Sequence, residues 1–213
     1  MYLGSEIFFM GAAIPPSVYA LLKKYRQDYL YGNIMADVIF AKKYLPREKN
    51  PHNWDVALEL FEESWTEPER AFAYGYLSHL AADTVAHASL TGGKRNLRHS
   101  LLELKAERKI NRHYLLLALS IDPRVQKRGD FLLKRCLESP LFSFKTNKRI
   151  LKGTVLLSGL SNPVHEAIFP RPGNGLIEEL HEKSLERMLD VLEKGRASKV
   201  LKKCPMGGLL SRN

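Results

Sequence analysis

From Ala71 to Leu90 the chain runs with helical periodicity and carries a single formally charged side chain, Asp83. A helix that is apolar nearly all round has no solvent face, so a helix over about Glu67 to Leu90 is expected to pass through the core with the remaining elements packed around it. Its start is marked by Thr66-Glu67-Pro68-Glu69, a T-x-x-E capping box with proline in the first turn. Thr91-Gly92-Gly93 ends it.

The rest of the chain fits around such a helix. Pro15-Pro16 opens a segment whose Val18, Leu21, Leu22 and Tyr25 share one helical face, and a turn is expected near Gly32. Asn53 is placed to cap a second helix that turns Val56, Ala57, Leu60 and Phe61 inward and ends at Ser64-Trp65. A fourth helix is expected from Asn96 through Leu102 to the Tyr114–Leu119 run, stopped by Asp122-Pro123. Further helices are expected near Arg124–Leu137 and Asn147–Leu160, and a last one from Leu176 to about Lys202. No period-two run is long enough for a strand, so the fold class is all-α. At 213 residues and 45% hydrophobic, the chain is expected to form one helical domain over 1–213 and to bury roughly 70% of its unfolded surface. Cys136 and Cys204 lie far apart without C-x-x-C spacing, which excludes a disulfide scaffold and a thiolate zinc finger.

The apolar helix also carries the chemistry. His79, Asp83 and His87 stand at i, i+4 and i+8, so they share one stripe. Burying a carboxylate and two imidazoles costs several kcal/mol unless partners compensate them. A core aspartate hydrogen-bonded between two histidines would serve, and so would a metal. Further donors follow: His99 with Glu103 at i+4, Asp37 in Met35-Ala36-Asp37, and His52 in Pro51-His52-Asn53-Trp54. Singly, Asp37 reads equally as a helix cap and His52 as a loop residue. Imidazole and carboxylate without thiolate make a ligand set suited to zinc, with manganese or iron as lesser tenants.

These residues carry a resemblance. Gly32-x4-Asp37, His52-x-Trp54, Gly75-Tyr76-Leu77-Ser78-His79-x3-Asp83-x3-His87 and His99-x3-Glu103 look like the signature of the zinc-dependent phospholipase C family, which is related in fold to the single-strand-specific zinc nucleases. The resemblance covers about residues 1–105, the metal-site half. Over 106–213 only helical character matches. It implies a helical domain enclosing a polynuclear zinc site of two or three ions. Asp37, His52, His79 and Asp83 would hold one zinc, and His87, His99 and Glu103 a second, with Asp83 bridging to a third. It also implies a phosphodiester hydrolase in which a metal-bound hydroxide attacks phosphorus, with Asp37, expected on a loop, orienting that water or taking its proton. The substrate class is an anionic phosphodiester, with phospholipid as one candidate.

In one respect the chain departs from the family. The family's third zinc uses an early histidine, and here no histidine precedes His52. Tyr2-Leu3-Gly4 resembles the stretch that follows that histidine, so the reading frame is expected to extend upstream and to encode a histidine next to Met1. Without it the third site is incomplete, and a non-catalytic or weakly active metal-binding protein becomes the alternative.

With 33 Lys and Arg against 23 Asp and Glu, the charge of +10 favours anionic partners, and Lys94, Arg95 and Arg98 are placed to draw one in or to be solvated. A nuclease on single strands would suit the charge, but no interleaving of aromatic and basic residues favours nucleic acid. Transient contact with a membrane surface fits the lipid reading. The basic C-terminal helix is diluted by Glu178, Glu179, Glu182, Glu186, Asp190 and Glu193, so its charges are expected to be solvated. His113, His165 and His181 are expected to be structural or solvent-facing. The uncharged stretch from Ile7 to Leu22 is broken by Pro15-Pro16 and too short to span a membrane, and only Glu6 precedes it, unlike a signal peptide; a cytoplasmic location is expected.

Overall fold

The computed structural model describes residues 2–38, 50–91, 120–137, 145–150 and 174–205, with side chains for all of these except 2, 86–91 and 174–177. Helix α1 (Tyr2–Glu6) and two short 3-10 turns lead into α2 (Pro16–Lys24) and α3 (Arg26–Val38). Then come α4 (Trp54–Glu62), α5 (Glu67–Thr91), α6 (Pro123–Cys136) and α7 (Asn174–Lys194), with residues 145–150 also helical. Among the described residues the fold is all-α. The continuation of the helix expected at Asn147–Leu160, and all of the one expected from Asn96, lie outside them.

Helix α5 is the axis, packed by α3, α7, α4, α6 and α1. Its Phe72, Tyr76, Leu77, Leu80 and Ala81 are fully or almost fully buried, as a helix without a polar face requires. The capping box closes reciprocally: the Glu69 amide donates to Thr66 Oγ1 at 3.4 Å, and the Thr66 amide donates to Glu69 Oε2 at 3.0 Å. Asn53 caps α4 and Asp122 caps α6, each side chain accepting from the amide two residues on. Helix α7 stops at Lys194, short of the expected Lys202, because Gly195 adopts φ +52° and turns the chain into 3-10 helix at Gly195–Ala197 and Lys199–Lys202.

Gly32 is not at a turn. It lies inside α3, and its lack of a side chain serves packing instead: a Cβ there would sit 2.1 Å from the Phe72 carbonyl oxygen, and one on Gly75 would sit 2.0 Å from that of Tyr29. The two glycines let the α3 and α5 backbones touch. The helices run parallel. Lys24 and Tyr25 meet Glu67 at 2.7 and 2.9 Å near their starts, and Tyr29 donates to Ser78 Oγ at 3.3 Å further along. From the other side α6 clamps α3. Arg128 donates twice to the buried Asp28 (2.9 and 2.6 Å), and Tyr31 donates to Asp130 at 2.5 Å.

Candidate metal centre

Because α3 and α5 run parallel in backbone contact, the last turn of α3 arrives beside the middle of α5. That brings Asp37 to His79, which Asp83 follows one turn on. Asp37 is therefore a helical residue, not the loop residue expected, since α3 continues through Gly32 to Val38. The fourth member, His52, comes from the segment that enters α4. Its backbone amide donates to Asn50 Oδ1 at 3.0 Å, and the Asn53 amide donates to the Asn50 carbonyl at 2.9 Å, forming a turn. On one side of it the Tyr76 hydroxyl donates to the Pro51 carbonyl at 2.5 Å; on the other the Trp54 indole N–H donates to the Lys203 carbonyl at 2.6 Å. His52 is thus pinned between α5 and the C-terminal 3-10 turn.

Four donor groups converge. His52 Nε2 lies 3.2 Å from Asp37 Oδ1 and 3.1 Å from Asp83 Oδ2, and His79 Nε2 lies 3.5 Å from Asp37 Oδ2 and 3.3 Å from Asp83 Oδ2. The two imidazoles meet edge to face with centroids 5.5 Å apart. An imidazole nitrogen has one proton or one lone pair to offer, yet each Nε2 faces two carboxylates. His79 Nε2 is buried and makes no hydrogen bond. The donor atoms of Asp37, His52 and His79 all lie within 4.8 Å of one another, an arrangement that could hold one metal ion, and the Asp83 carboxylate faces both imidazoles beside them. Two carboxylates with two neutral imidazoles also balance a divalent charge.

The site is open on one side. The Asp37 side chain is 54% exposed, whereas those of His52, His79 and Asp83 are 5%, 13% and 18% exposed. Burial alone would push the Asp83 carboxyl up, but the two imidazoles reverse this and hold it well below the usual carboxylate range. The Tyr76 phenol, by contrast, is pushed well above its ordinary value by burial and then by the nearby Asp37, Cys136 and Asp83.

Of the residues singled out in the sequence, Asp37, His52, His79 and Asp83 are brought together. His87 lies on α5 one turn beyond Asp83, but its side chain is outside the described residues, as are His99, Glu103, Lys94, Arg95 and Arg98. Tyr76, Asn50 and Trp54, which position His52, carry no spacing signal for that role. Only the place of Tyr76 and Trp54 within the motif hinted at it. Of the basic residues of α7 and beyond, Lys183 pairs with Glu179 and Lys194 with Asp190 one turn away and Arg196 reaches Glu62 of α4, whereas Arg187 departs from the solvated face expected and donates to the buried Thr84 Oγ1 of α5 at 2.6 Å.

A family model described as zinc dependent phospholipase C matches residues 1–146, reaching past the region where the signature motifs lie. Neither the curated proteins nor the solved structures offer a match. The matched region is more than half of the chain and contains every donor of the cluster, so the chain belongs to the zinc-dependent phospholipase C family.

Proposed function

We propose that the protein is a zinc-dependent phosphodiester hydrolase of the phospholipase C type, acting on an anionic phosphodiester. The observation that carries this reading is the convergence of Asp37, His52 and His79 donor atoms within 4.8 Å of one another, with the Asp83 carboxylate facing both imidazoles. These four would hold one zinc. His87, His99 and Glu103 would hold a second, and a third would share Asp83. Bound there, zinc supplies a Lewis acid for phosphoryl oxygens and brings the pKa of a bound water toward neutrality.

The chain's own groups do the rest. His52 and His79, fixed by burial, orient their Nε2 atoms inward; Asp83 sets charge between them; Asp37, half exposed, meets whatever enters from solvent. Its carboxylate would accept a proton from a water on the open side. Asp37→Asn should therefore retain the fold and lower hydrolysis of a chromogenic phosphodiester by roughly two orders of magnitude or more in zinc-loaded protein. Equal activity in the variant would remove Asp37 from this role. A zinc-loaded chain with no phosphodiester hydrolysis would leave a metal-binding protein without this catalysis.

A further inference from the structure

Helix α6 turns one ordered stripe to solvent: Arg124, Lys127, Phe131 and Lys134, spaced three, four and three residues apart, are all exposed. Phe131 is 61% exposed. Beside it, in the α4–α5 connection, Trp65 is 75% exposed. The two rings share one cation, the Arg135 guanidinium, 4.2 Å from the Trp65 centroid and 5.3 Å from that of Phe131. Arg135 is itself held from behind by Glu69 at 3.2 Å and by the Glu63 carbonyl at 2.5 Å. The aromatics are thus fixed in outward positions. Lys148 and Arg128 add charge along the same groove, although Asp130 and Asp28 neutralise them.

From this we infer that the α6 stripe with Trp65 is a docking surface for an anionic lipid membrane. Exposed aromatic tips flanked by lysine and arginine match the layering of a membrane interface, where rings enter the headgroup region and cations meet phosphates. Nucleic acid fits less well, because two rings gathered on one shared cation do not form the succession of stacking platforms along a basic groove that a strand needs. A second copy fits less well too, since an isologous contact would set Arg124, Lys127 and Lys134 against themselves. The surface is separate from the metal centre: Glu67 begins α5 next to Trp65, and His79 lies about 18 Å further along that helix. It therefore goes beyond the hydrolase reading and stands whether or not that reading does.

The test is co-sedimentation of the full zinc-incubated chain with phosphatidylcholine vesicles, with and without phosphatidylserine. Wild type should bind the anionic vesicles and lose binding as salt rises. Each cation near such a surface contributes about five-fold in affinity, so K127Q/K134Q should weaken binding roughly twenty-five-fold. F131S should weaken it about ten-fold while keeping the salt dependence. Both variants should match wild type in zinc content and melting temperature. Absence of binding, equal binding to neutral vesicles, or unchanged binding in both variants would overturn the proposal. So would loss of single-stranded DNA binding or of self-association in the variants with vesicle binding intact.

Discussion

The Tyr76 hydroxyl donates to the Pro51 carbonyl at 2.5 Å, joining the middle of α5 to the residue before His52. His79 lies one turn of α5 beyond Tyr76, so the same helix that presents one imidazole to the cluster also sets the backbone that presents the other.

Tyr76→Phe keeps the ring and removes this bond, leaving a buried carbonyl to find another donor. Loss of about 1–2 kcal/mol of stability is expected, with zinc affinity about 10–100-fold weaker because His52 is no longer held. Isothermal titration with zinc checks it; an unchanged affinity would show that the Asn50 turn and Trp54 suffice to place His52.

Gly32→Ala and Gly75→Ala each force a methyl to about 2 Å from a carbonyl oxygen of the facing helix. Backbone cannot yield as a flexible side chain would, so each should cost about 3 kcal/mol or more and lower the melting temperature by many degrees. Either variant melting like wild type would mean that α3 and α5 are not in backbone contact.

The buried phenols set the alkaline limit. Burial pushes Tyr29 up to about 12 from its ordinary 10.0, and Tyr76 is raised as well. The folded chain keeps protons that the unfolded chain releases, so stability is intact below pH 10 and falls as pH rises through about 12. Tyrosinate absorbance followed against circular dichroism should show these phenols ionising with unfolding. Their free ionisation in a folded chain would contradict the burial.

Asp83→Asn removes the carboxylate that faces both imidazoles. Of all single changes it should lose the most metal, and zinc should no longer raise the melting temperature as it does in wild type. Elemental analysis alongside thermal melts checks this; a variant that keeps full metal content would shift the centre away from Asp83.

Much of this was legible because it depends on local rules. The capping box at Thr66–Glu69, the Asn53 cap and the lone charge on α5 each act within one helix, so their spacing alone announced them. The i, i+4 stripe of His79 and Asp83 was readable for the same reason. Gly32 misled because glycine favours turns in isolation, whereas here it is spent on contact with a helix some forty residues away. Asp37 followed it into the wrong element. The hold on His52 by Tyr76 and by Lys203 arises from contacts between residues distant in sequence, and no periodicity encodes those.

The most direct test of the metal centre is the zinc content of protein purified without chelator, measured together with its melting temperature before and after a chelator. The account predicts about two or more zinc ions per chain and a clear fall in melting temperature when they are removed. A folded chain that holds no zinc after incubation with it, and melts identically with and without chelator, would contradict the account.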